Sequence, residues 1–280
     1  MTDTSVTLNG VQQEFDEIYG AVNRERFGRE LTSGNSSIWL QVIKQAGEVA
    51  RAIRKDKKGS LLRELPQLFC WYCGFCTKVG ISLEDTVWRY FPFVCPTCYN
   101  KRCSCGPHKE RERSQRLAQK DPLLLEKYAK ENLHLRPRTL DGYVDMFGYI
   151  YGGHNEAAHM GEVFLHLTEE LGEVARWIHL LKKGGPDMQR RVVHGEMASE
   201  LADVFSWISK LVVRANSEYR GFREYMEHFV RDGAPEIPNE IRLSELIGSV
   251  YGSGCPECRE AHCSAACPGW TGAETGESMS

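Results

Sequence analysis

Apolar residues recur at three- and four-residue spacing along most of the chain, and the strict alternation that marks a half-buried strand is absent. The spacing predicts helices over residues 15–27, 37–55, 61–79 and 82–90, and again over 140–151, 160–182, 195–215, 222–230 and 243–250. Leu171, Val174, Ala175, Ile178 and Leu181 form one apolar stripe, and Leu201, Val204, Phe205, Ile208 and Leu211 form another. Pro66 falls inside the third segment, where a proline costs about 3 kcal/mol relative to alanine unless a kink absorbs it. The expected fold class is all-α.

The pattern occurs twice. QAGEVARAI (45–53) matches ELGEVARWI (170–178), and ELPQLFCW (64–71) matches ELADVFSW (200–207). LEDTVWRYFPFVCPTC (83–98) matches LSELIGSVYGSGCPEC (243–258) with equal leucine-to-cysteine separation. Self-similarity of this kind marks a tandem duplication. The expected organisation is a first repeat over 11–106, a charged helical connector over 107–139, a second repeat over 140–267 and a polar, disordered tail over 268–280.

The second repeat carries a distinctive set of acids: Glu169, Glu170 and Glu173 in one helix, Glu200 and Asp203 in the next. Positions three and four apart share a helix face, so Glu170 with Glu173, and Glu200 with Asp203, project as two pairs that can face each other. Carboxylates held together repel unless a cation lies between them. Mg²⁺ suits them, because it accepts carboxylate oxygens and keeps positions for phosphate. The nearest cations able to clamp phosphates are Lys182, Lys183, Arg190, Arg191, Lys210 and Arg214. Lys210 lies two turns past Asp203 on roughly the same face, and His154 and Asn155 precede the first acidic helix as candidates for base or sugar contacts.

EE-x-x-E (Glu169, Glu170, Glu173) followed by E-x-x-D (Glu200, Asp203) resembles the signature of the MazG-like, all-α nucleoside triphosphate pyrophosphohydrolases. The resemblance implies a helical bundle, Mg²⁺ on Glu170, Glu173, Glu200 and Asp203, and hydrolysis of a nucleoside triphosphate to monophosphate and pyrophosphate. It leaves open which carboxylate, Glu169 included, serves as general base. Members of that superfamily pair or form tetramers, so two tandem bundles imply an internal pseudo-dimer, with a homodimer of pseudo-dimers as the expected assembly. In the first repeat the equivalent positions are Lys44, Gln45, Glu48, Glu64 and Gln67, a set that has lost most of its negative charge. That copy is expected to be catalytically silent. A non-catalytic nucleotide-sensing or scaffolding module, or a nucleic-acid binder, remains the alternative.

Eleven cysteines in a chain of 280 residues change the picture again. Cys95 and Cys98 with Cys103 and Cys105, and Cys255 and Cys258 with Cys263 and Cys267, share the spacing C-x2-C-x4-C. Each set closes a tetrahedral Zn²⁺ shell and leaves no open position, which makes the sites structural. His262 is the runner-up ligand in the second set. Cys70, Cys73 and Cys76 lie at helical spacing and read as small buried residues, Cys70 matching Ser206 and Cys73 matching Ser209. A net charge of −3 gives no basic domain for nucleic acid. No apolar run reaches the length of a membrane span and the first residues lack a secretion signal, so a cytoplasmic protein is expected.

Overall fold

The structure is a computed structural model that describes residues 6–28, 33–105, 121–155, 158–218 and 241–268, with the side chains of residues 154 and 155 excepted. Among the described residues every regular element is helical. In chain order these are α1 (Leu8–Phe27), α2 (Asn35–Arg54), α3 (Lys58–Lys78), α4 (Leu83–Tyr90), α5 (Pro122–Glu131), α6 (Leu140–Asn155), α7 (Met160–Leu181), α8 (Pro186–Val192), α9 (Ala198–Glu218) and α10 (Leu243–Tyr251). A π-helical turn, Val193–Met197, leads from α8 into α9. The predicted helix over 222–230, residues 107–120 of the connector and nearly all of the tail lie outside the described residues.

α1 begins one and a half to two turns before the predicted start. Thr7 caps it by accepting the N–H of Gly10 at 2.9 Å, and Leu8 and Val11 extend the buried stripe of Phe15, Ile18 and Val22. Asp121 caps α5 in the same way, accepting from Leu123 and Leu124. α3 runs through Pro66 without a break. Of the predicted stripe on α7, Ala175 is exposed; Leu171, Val174, Ile178 and Leu181 are buried.

The helices assemble into two similar sets, α1 to α3 and α6, α7 and α9, which meet along α2 and α7. Two buried side chains cross that boundary. Trp39 donates its indole N–H to the carbonyl of Leu171 at 3.1 Å, and Tyr72 donates its hydroxyl to the carbonyl of Leu201 at 2.6 Å.

The fourth helix of each repeat lies against the other repeat. α4 packs on α9, and α10 packs on α3. Phe91 meets Phe147 of α6 edge-on at 4.9 Å, and Tyr251 meets Phe15 of α1 edge-on at 5.0 Å. The N–H of Cys103 donates to the carbonyl of Ile150, and the N–H of Cys263 to the carbonyl of Ile18, both at 2.7 Å. These paired contacts align Phe15, Ile18, Tyr19 and Gly20 with Phe147, Ile150, Tyr151 and Gly152. That match extends the sequence repeat into α1 and α6, where the intervening residues are unrelated.

Candidate functional site

α7 opens on a capping box in which Glu162 accepts the N–H of His159 at 3.2 Å, and buries Val163, Leu167, Leu171, Val174 and Ile178. That register leaves Glu170 and Glu173 on the flank facing α9, where Leu201, Val204, Phe205 and Ile208 are buried and Glu200 is half-buried. Glu170, Glu173 and Glu200 each bring one carboxylate oxygen within 4.8 Å of the others. Asp203 stands outside this converging group. It is half-buried near the hydroxyls of Tyr72 and Tyr151, which are pushed well above their ordinary pKa by burial first, with the Asp203 charge among the lesser causes. Glu169 turns to solvent and shares a hydrogen bond of 2.9 Å with Nδ1 of His166.

Trp207 is the residue that ties this site together. Its indole N–H donates to Oε1 of Glu170 at 3.2 Å, His166 stacks on its ring at 4.7 Å, and Nζ of Lys210 sits 4.6 Å from the ring centre. A cation over an indole face is held by the ring quadrupole. Burial lowers the pKa of Lys210, and the nearby Arg214 lowers it further. Arg214 is engaged with Glu218 at 2.7 Å, Lys182 is an exposed residue capping the end of α7, and the side chains of His154 and Asn155 lie outside the described residues. Trp207 and His166 went unremarked in the sequence, yet each lies one turn from an acid, Trp207 after Asp203 and His166 before Glu170. Helical spacing was the available signal.

The matching place in the first repeat is chemically inverted. Oε2 of Glu64 accepts from Nε2 of Gln45 at 2.7 Å and of Gln67 at 3.3 Å, while Oε1 accepts from Arg63 at 2.9 and 2.6 Å. Donors from the chain surround this carboxylate where its counterpart faces two other carboxylates. Glu48 is directed to Arg51 on the surface at 3.1 Å. A groove of about 880 Å³ opens beside this cluster, lined in part by Arg63, Glu64, Gln67, Arg242 and Arg259. In the second repeat the longer connection reaches α4 at the corresponding level, Tyr90 donating to the carbonyl of Gly195 at 2.9 Å and Arg89 to that of His194 at 3.4 Å.

Two four-cysteine clusters are assembled, Cys95, Cys98, Cys103 and Cys105, and Cys255, Cys258, Cys263 and Cys267. Cys95 and Cys105 place their sulfurs 4.0 Å apart, and Cys255 and Cys267 place theirs 3.8 Å apart. A tetrahedron with Zn–S bonds of about 2.3 Å has an edge of about 3.8 Å, so both clusters fit Zn²⁺. The turns agree: Tyr99 and Arg259 donate their N–H to the carbonyls of Cys95 and Cys255 at 2.8 Å. Cys95 is held low, at about 4, chiefly by a hydrogen bond from Cys103. Burial opposes ionisation of Cys255, but the amides of Cys258 and Glu257 and the hydroxyl of Tyr19 bring it down to about 7. Such donors favour the thiolate that a metal needs. His262 points away and bonds the carbonyl of Glu17 at 2.9 Å. Cys70, Cys73 and Cys76 are buried, and burial pushes their thiols up, as inert core residues require.

Among the described residues no helix is long and apolar enough to cross a membrane. Comparison with protein-family models, with curated proteins and with solved structures returned no match.

Proposed function

We propose that the second repeat is a Mg²⁺-dependent nucleoside triphosphate pyrophosphohydrolase of the MazG-like kind, with the first repeat a silent copy that completes an internal pseudo-dimer. The convergence of Glu170, Glu173 and Glu200 from two helices to within 4.8 Å carries this reading. Hard oxygen donors in that arrangement suit Mg²⁺. The reciprocal contacts of α4 with α9 and α10 with α3 support the pseudo-dimer.

Glu170, Glu173 and Glu200 would hold the ion, with Asp203 brought in beside Glu200. When bound, a divalent cation supplies charge neutralisation on the phosphates and lowers the pKa of a coordinated water. The remaining work belongs to the chain. Trp207 fixes the orientation of Glu170, and Lys210, stationed over the same indole, meets phosphate oxygens. Glu169, outside the converging set and bonded to His166, is available to accept the proton of the attacking water.

The second reading is a nucleotide-sensing module that binds without turnover, and the position of Asp203 outside the converging oxygens favours it. Pyrophosphate release from a panel of ribo- and deoxyribonucleoside triphosphates with Mg²⁺ separates the two. The wild type is expected to release pyrophosphate and Glu173→Gln to lose at least about 100-fold, the scale seen when a metal-supporting group is removed. Nucleotide binding with no turnover of any member of the panel would overturn the enzyme reading.

A further inference from the structure

Tyr151, near the end of α6, directs its hydroxyl to Sγ of Cys95, and Tyr19 in α1 directs its own to Sγ of Cys255. Each is followed back by one residue to the isoleucine whose carbonyl accepts the N–H of the third cysteine, Ile150 for Cys103 and Ile18 for Cys263. Every knuckle is thus fastened by a two-residue clamp on the first helix of the other repeat.

The clamps differ in what stands behind them. Tyr151 feels the charge of Asp203, and Lys210 feels that of Cys103, so the Cys95 knuckle, α9 and the lysine over Trp207 come together around one hydroxyl. Beyond Tyr19 are the thiol of Cys70 and the ring of Trp71, stacked at 6.5 Å. The helix leading into the Cys95 knuckle also grips the entry to α9. Tyr90 and Arg89 hold the carbonyls of Gly195 and His194, five and six residues before Glu200. The matching residues of α10 are Val250 and Ser249, which carry neither the phenol nor the guanidinium.

We propose that the Cys95 knuckle, part of the first repeat in sequence, is a positioning element for the carboxylate site of the second repeat, with Tyr151 as the link between them. The inference rests on the metal-binding half of the reading above, not on turnover. Metal in the Cys95 knuckle holds the end of α6 through Cys103 and Ile150, and keeps the Tyr151 hydroxyl on Cys95. Asp203 and Lys210 are thereby held in register with Glu170, Glu173 and Glu200. The Cys255 knuckle has the same chemistry but no carboxylate site behind its clamp.

Mn²⁺ binding to the full, zinc-loaded chain, followed by electron paramagnetic resonance, tests this without any substrate. Tyr151→Phe keeps the ring, which lies parallel to Phe147, and removes only the hydroxyl. It is expected to weaken Mn²⁺ binding about tenfold and to alter the spectrum of the bound ion, the scale of lost outer-shell support. Tyr19→Phe, the same change at the other clamp, is expected to stay within about twofold of wild type. Zinc content and helical circular dichroism, unchanged in both variants, separate positioning from unfolding. Wild-type affinity in Tyr151→Phe, or equal losses in the two variants, would overturn the inference while leaving the carboxylate site standing. Mn²⁺ binding by the wild type that is absent, or indifferent to Glu173→Gln, would overturn the carboxylate reading and this inference with it.

Discussion

Tyr99 and Arg259 follow the second cysteine of their knuckles with φ of 58° and 61°, a left-handed backbone that suits glycine better than a residue with a Cβ. Neither bears on the metal ligands directly. Arg259→Gly is therefore expected to raise the thermal midpoint of the zinc-loaded protein, by about 1 kcal/mol of stability, measured by calorimetry. Arg136 tells a different story. It bonds Asp85 at 2.7 Å and Glu84 at 3.3 Å, and the Arg136 hydrogen bond holds the Asp85 carboxyl below its usual range. A lowered folded pKa means that the stabilisation is present above the unfolded value near 4 and is lost as pH falls through the folded value. Asp85 is largely exposed, so the effect is below about 1 kcal/mol. Arg136→Gln is expected to flatten the loss of melting temperature between about pH 5 and pH 3. At this scale the acids and cysteines were legible because their spacing alone puts them on one face or one turn. The indole bond to Glu170 was not, since it joins positions 37 apart in sequence whose meeting depends on the rotation of two helices.

The acidic helices of the two repeats show how one pairing supports opposite chemistry. α7 and α9 present three carboxylates to one another, while α2 and α3 present one carboxylate wrapped by two amides and a guanidinium. The loss of acids in the first repeat was plain in the sequence. The compensation by Arg63 was not, because Arg63 matches Ser199 and lies outside the acidic motif. Gln45→Glu sets a second carboxylate against Glu64 in a buried position. It is expected to cost about 1 to 3 kcal/mol near neutral pH, seen in denaturant titration, and to recover part of that loss on addition of Mn²⁺. A variant as stable as wild type in chelator would show that the first repeat tolerates paired acids without a cation. The predicted boundaries were closest where an apolar stripe ran uninterrupted, as in α7. They were furthest off at α1, where the Thr7 cap and Leu8 extend the helix beyond the sequence match.

At the scale of the whole chain, each knuckle secures a helix of the other repeat, so zinc and the contact between repeats are linked. Binding free energy that exists only in the folded state is folding free energy. Removal of zinc by a strong chelator is expected to lower the melting temperature of the whole chain in one transition, followed by circular dichroism and tryptophan fluorescence together. Two separate transitions would mean that the repeats hold together without their knuckles. The same crossing explains why α4 and α10, short helices that bury few residues, are well placed: Phe91 and Tyr251 find aromatic partners in the opposite repeat.

Sequence by itself determined what spacing can determine. An apolar residue every third or fourth position makes a helix with one buried face, two cysteines separated by two residues reach one metal, and acids three apart leave one side of a helix together. These are local consequences of backbone geometry, independent of the rest of the chain. Tertiary structure decided the partners. Two repeats with nearly the same apolar faces can place α4 and α10 on their own bundle or on the other, and both arrangements satisfy the same pattern. Only the packing of specific shapes, Phe91 on Phe147 and Tyr251 on Phe15, selects the crossed one. That choice brings the Cys95 knuckle to Tyr151 and leaves Asp203 beside it, relations that span distances in sequence no periodicity encodes.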